Sequence, residues 1–223
     1  MRHVLLTTLA ILAVTPAFAA EEKKAPTPVK AEEAKPAAPT VSTDIAQAPA
    51  GDYVLEKNHA SIAFKARHMG FSDYLMRFND FDASITLDPK AIEKSSVKAE
   101  VKVASFDSNN PKLLEHVSTK DFFNASAFPT ISFVSKKIEK TGANTGKISG
   151  DLTLLGVTKP VVLNATFIGG GKHMMMQKYD IGFKATTTIK RSEFGMNYGL
   201  AMVSDEIPVE INAEFIQNIP EQK

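Results

Sequence analysis

Four histidines beyond the first fifty residues, His59, His68, His116 and His173, are the first candidates for metal or acid–base chemistry. His59 and His68 bracket one strand-like run and stand roughly 30 Å apart if it is extended, too far to share an ion. Each reads better as a backbone hydrogen-bonding group near a strand end, or as a polar contact for a ligand head group. The run "KHMMMQK", residues 172–178, sets thioether sulfurs beside an imidazole, a donor set that suits Cu(I). It follows "GGG" in what reads as a flexible turn, and methionines packing at the mouth of an apolar site explain it equally well. No metal centre is expected. Arg191 lies beside Glu193 and Phe194, with Asp205 further on; a salt bridge or carbonyl contacts pinning a turn is one reading, and contact with a ligand oxygen is the other. Nucleophile signals are weak: "GKISG" has its serine one place off the elbow spacing, and "GGGK" lacks the spacing of a phosphate loop.

The elements that must position these residues alternate apolar and polar side chains with period two. "VKAEVKV" puts Val97, Ala99 and Val101 on one face and Lys98, Glu100 and Lys102 on the other. The same pattern gives inward-facing Ile62, Phe64 and Ala66, then Leu87, then Ile131 and Phe133, then Leu152. Further on it gives Phe167, then Ile181 and Phe183, and last Ile211 and Phe215. Eight such strands in sequence, with short polar links, predict an antiparallel meander closed as a barrel or stacked as a sandwich. Many inward positions are small, namely Ala66, Ala99, Ala165, Ala185 and Ala213, which predicts a hollow centre. One helix is expected in "NNPKLLEHV", with Pro111 at its first position and Leu113, Leu114 and Val117 on one face. "RSEFGMN" suits a second short turn.

Residues 1–19 read as a cleavable secretory signal, with Arg2, an apolar run from Val4 to Val14, and the small-residue site Ala17-Phe18-Ala19. That predicts a periplasmic location. Residues 20–50, rich in Ala, Pro, Lys and Glu and without an aromatic, read as a disordered linker. The barrel is assigned to residues 51–218, with 219–223 a tail. Thirteen of the fourteen Phe and all twelve Gly fall after residue 50, so one domain of ordinary size holds the core. The formal net charge is only +1, without a long basic run, so nucleic acid is not an expected partner. With no cysteine, stability rests on packing.

Four ordered segments carry a family resemblance: "HASIAFKARHMGFSDYLMRFNDFDASITLD", "HVSTKDFFNASAFPTISFVS", "GDLTLLGVTKPVVL" and "IKRSEFGM". Together they resemble the bacterial YceI-like proteins. The resemblance implies an all-β, eight-stranded antiparallel, lipocalin-like barrel with one or two short helices, around an apolar tunnel. It further implies that the tunnel holds a polyisoprenoid, isoprenoid quinone or fatty-acid amide, that membrane contact is transient, and that the chain can form a homodimer. Bulky Met76 stands where the family usually has glycine, which bears on the chain length accepted. On this reading the strand-face residues named above bind the ligand, His59, His68, His116 and Arg191 are mouth or head-group contacts, no residue is catalytic, and no cofactor beyond the bound lipid is expected. Two rivals remain: an enzyme acting on an isoprenoid or quinone through His68, His116 and Arg191, and a packed sandwich with no ligand.

Overall fold

The computed structural model describes residues 40–219; the expected signal, the first part of the linker and the last four residues lie outside them. Ten strand segments and one helix follow in order. These are β1 Gly51–His68, β2 Ser72–Phe78, β3 Phe81–Leu87, β4 Ser96–Lys102, β5 Phe106–Asp107, α1 Pro111–Val117, β6 Thr130–Lys140, β7 Thr145–Leu154, β8 Val157–Lys172, β9 Tyr179–Lys190 and β10 Glu206–Gln217. All pairings are antiparallel and β10 returns to β1, so the sheet closes on itself.

Ten segments make eight wall strands. β2 and β3 both run antiparallel to β1 and form one strand broken at Asn79–Asp80. β4 and β5 form the next, broken by a 3₁₀ turn at Val103–Ser105. The two breaks face each other and are stitched by Asn79 N–H to Ser105 O and Lys102 N–H to Asp80 O, both 3.0 Å. β1 shifts register between Glu56 and Ser61 at the same level, so three adjacent strands bend together.

Alternation sets the inside. Lys98, Glu100 and Lys102 face solvent, whereas Val101 is buried. Phe64, Phe78, Phe106 and Phe123 pack ring to ring with centroids 5.1–6.2 Å apart near one end of the barrel. Phe167, Phe183 and Phe215 form a second cluster near the other.

The two ends differ. At the helix end lie the β1–β2 turn, α1 and the segment from Arg191 to Asp205. At the strap end lie the β6–β7 turn, the β8–β9 loop and residues 40–50. These last residues were expected to be linker, yet they pack on the barrel: Ser42 and Gly170 exchange two backbone hydrogen bonds of 2.9 Å, Asp44 caps a 3₁₀ turn Ile45–Gln47, and Ala48 is buried. Glycines make the crossing possible. A Cβ on Gly171 would sit 2.6 Å from the Thr40 carbonyl oxygen, and one on Gly169 would meet Val41. The "GGG" run is strand, and the turn expected at "KHMMMQK" is the loop from His173 to Lys178.

Candidate functional site: an apolar tunnel

Between the two phenylalanine clusters lies a cavity of about 600 Å³. The five small residues Ala66, Ala99, Ala165, Ala185 and Ala213 all line it; a Cβ alone reaches so short a distance inward that the wall strands cannot fill their own centre. The lining runs from Ile45, Lys140 and Thr145 at the strap end to His68, Tyr74 and Asn110 at the helix end.

The strand-face residues expected to point inward do so. Ile62, Phe64, Ala66, Leu87, Val101, Ile131, Phe133, Leu152, Phe167, Phe183, Ile211 and Phe215 line the cavity. Ile181 does not. It lies past the register shift between Phe167 and Gly169, is 1% exposed, and packs with Tyr53 and Phe215 in the cluster that fills the strap end. Tyr53 is fully buried there and donates its hydroxyl to Pro49 O at 2.8 Å. Burial, then the charges of Tyr179 and Asp180, push its phenol up to about 12.

The four proposed head-group contacts divide. His68 lines the tunnel at the end of β1, where its backbone bridges Val203. His59 is not near an end: it sits on the outer surface at the β1 bulge, its Nδ1 2.7 Å from Glu56 Oε2 and its backbone N–H donating to the same carboxylate. His116, on α1, stands outside the lining with its ring edge-on to Phe122 and Tyr198. Arg191 is 3% exposed and borders the tunnel; its guanidinium donates to the carbonyls of Ser204, Met196, Tyr198 and Val203 at 2.7–3.1 Å. Burial holds its pKa below the ordinary arginine value. Asp205 instead accepts from the backbone and hydroxyl of Ser192, both at 2.8 Å. Arg191 thus pins the segment through carbonyls, the first of its two expected roles. Met174, Met175 and Met176 are exposed in the β8–β9 loop and do not reach the tunnel.

A set of contacts that no sequence pattern marks encircles the tunnel's helix end. The Met69 N–H donates to Met202 O, and Tyr198 packs edge-on against Phe122 with centroids 5.3 Å apart. The Tyr74 hydroxyl closes the circuit onto Ser108 O at 3.3 Å. Inside it stand Leu113, Met196 and Val203, residues of loops and a short helix whose inward direction only the tertiary path decides. Tyr74 and Met76 had a usable signal, since they share parity with Phe78 on β2. Met76 sits within that strand and faces the tunnel.

The fold and its cavity define a class: a closed eight-stranded antiparallel barrel with an elongated apolar interior, in the manner of lipocalins. A packed sandwich is excluded by the closed sheet and the hollow. The chain belongs to the YceI-like family, whose domain matches residues 53–215. A UPF0312 protein of Azotobacter vinelandii is 40% identical over 173 residues, covering 77% of this chain and 90% of that one. The YCEI protein of Campylobacter jejuni superposes with a TM-score of 0.63 at 33% identity, covering 68% of this chain and 90% of that one. A polyisoprenoid binding domain from Saccharophagus degradans shares the fold at 12% identity, with a TM-score of 0.58 and coverage of 76% and 100%.

Proposed function

We propose that this protein is a non-catalytic carrier that holds one long isoprenoid or acyl chain in its tunnel, in the periplasm, after removal of an N-terminal signal. The single observation that carries the reading is a cavity of about 600 Å³ lined almost wholly by aliphatic and phenyl groups. Such a volume holds upward of roughly 20 heavy atoms at about 30 Å³ each, the liquid share of a water molecule. The membership of the family, and the polyisoprenoid-binding description of the Saccharophagus domain that shares the fold, point the same way.

Energetics suit exchange rather than irreversible capture. Each methylene removed from water gains about 0.8 kcal/mol, but the chain's alternative is a bilayer as apolar as the tunnel. Transfer between the two is therefore close to neutral, and small differences at the mouth decide loading. An enzyme needs groups assembled to stabilise a transition state; His116 lies outside the tunnel and Arg191 is committed to backbone carbonyls.

Native mass spectrometry of freshly purified protein, followed by organic extraction, tests the reading. A stoichiometric apolar molecule with a chain near the tunnel's capacity is the expected result. A protein that purifies empty and takes up no long-chain amide or prenyl alcohol would overturn it.

A further inference from the structure

We infer that the helix end of the barrel is a docking face for a lipid bilayer, against which the tunnel opens; the inference rests on the carrier reading above and adds where, and against what, exchange takes place. Around this end Met69, Phe71, Leu75, Tyr198, Leu200 and Met202 are all exposed, Phe71 at 84%. They come from two segments that the backbone holds side by side, the β1–β2 turn and the stretch before β10, joined by Met69 N–H to Met202 O, Ser204 N–H to Arg67 O and the His68–Val203 bridge. The patch is therefore built, not a scatter of loose side chains.

Three observations select a bilayer as the occupant. The patch borders the tunnel directly, since His68 and Tyr74, which line it, belong to the same hairpin as Met69, Phe71 and Leu75. The wall is also incomplete here: β5 pairs with β2 only at Arg77 and Phe78, so from Ser72 to Met76 no strand runs along the far edge of β2 among the described residues. The Tyr74 hydroxyl spans that gap to Ser108 O at 3.3 Å, and when this bond opens a chain can leave the tunnel sideways between the edge and α1, where Asn110 and Leu113 face the cavity. Finally, the charges around this end nearly balance, since Arg67 pairs with Asp73, Arg77 pairs with Asp107, and exposed Lys65, Lys112 and Lys120 stand against Glu115 and Asp121, which leaves phenyl, thioether and phenol groups suited to the boundary between head groups and acyl chains. A partner that brings an apolar chain and asks for no net charge is a neutral bilayer. The strap end differs. It also exposes Val41, Ile168 and Met174 to Met176, but its tunnel rim is polar, formed by Glu139, Lys140, Asn144 and Thr145.

The test measures transfer of a pyrene-labelled long-chain fatty amide from phosphatidylcholine vesicles to the full-length mature protein, beside uptake of the same amide from vesicle-free solution. Phe71→Ser combined with Leu200→Ser removes exposed side chains that do not line the tunnel. Transfer from vesicles is expected to fall on the order of tenfold, the scale set by one buried aromatic side chain, with uptake from solution and the melting midpoint unchanged. Met175→Ser, equally exposed at the other end, is expected to leave transfer intact. Raising salt or adding phosphatidylglycerol is expected to change little. If the parent takes up no amide from solution, the carrier reading falls, and this inference with it. If uptake is normal and the double variant transfers as the parent does, or if Met175→Ser slows transfer as much, only the docking face is overturned. The docking face falls likewise if the double variant alters self-association and not vesicle transfer, because a second copy would then be the occupant.

Discussion

Two aspartates titrate in opposite senses, and the difference makes their roles measurable. Asp205, at the helix end, accepts from the Ser192 backbone N–H and hydroxyl, and these bonds hold its carboxyl below the ordinary carboxylate range. Its folded pKa is depressed, so its contribution is complete above the unfolded value of about 3.9 and is lost as pH falls through the folded one. Asp180, at the start of β9, is pushed up, first by burial and then, against the pull of His173, by Glu214 and Glu56; its Oδ1 has no hydrogen-bond partner. Here the folded pKa is raised, so the burial cost of the ionised form appears as pH rises through it. Asp180→Asn is expected to raise the melting midpoint at neutral pH and to converge with the parent at acid pH, whereas Asp205→Asn lowers it at neutral pH and converges likewise. Melting curves across pH decide both. Arg191→Met leaves four carbonyls without their donor; a cost of about 3–5 kcal/mol follows from breaking a buried charged network. Amide exchange faster by orders of magnitude in residues 196–204 than in β8 would locate the damage, and unchanged exchange there would remove Arg191 from that role.

At the scale of elements, the strap shows how glycine decides a path. Gly169, Gly170 and Gly171 lie within β8, and the chain from Thr40 to Ser42 crosses them at backbone contact distance. Gly171→Ala places a Cβ 2.6 Å from a backbone oxygen that cannot rotate away, so the strap must lift. Limited proteolysis should then cut between residues 40 and 50 in the variant and spare the parent. The barrel itself should survive, because β8 keeps its pairing with β7 and β9. This element was not readable in the sequence: its Ala and Pro content matches the linker before it, and Ile45 and Ala48 owe their burial to a surface formed far along the chain. Period-two runs such as "VKAEVKV" were readable because one face of each strand is buried and the other wet. Their breaks were not, since Asn79–Asp80 and Val103–Ser105 are kinks fixed by bonds across neighbouring strands. Parity likewise assigned Ile181 to the tunnel; it could not show that the tunnel ends before it. His59 was misplaced for a related reason, because the strand it was read as bracketing extends back to Gly51 through a bulge.

For the whole molecule the governing quantity is the volume that the wall strands leave unfilled. Alanines at five inward positions on five strands keep the centre open, and a phenyl group at any of them competes with the ligand for the same space. Ala185 is the most direct probe, since it pairs with Ala165 on β8 and Ile211 on β10 and so stands in the middle of three lining strands. In Ala185→Phe six ring carbons occupy the place of about as many methylenes of the bound chain. Two consequences separate a ligand site from a mere packing defect. Bound lipid, weighed by native mass spectrometry, should fall or shift to shorter chains. The lipid-free variant should melt a few degrees above the lipid-free parent, because the ring fills a void that otherwise forfeits contacts. A variant that binds the same lipid as before would show that the chain lies elsewhere, whereas one that melts lower in the lipid-free state would show that the interior is already filled by its own side chains. The bend shared by β1, the β2–β3 break and the β4–β5 break adds a constraint on where the ring can go, because it fixes the wall near Phe78 and Phe106 while β9 and β10 pair without a shift in register. Relief of crowding should therefore appear on the β9–β10 side, as faster amide exchange in those strands than in β3 and β4.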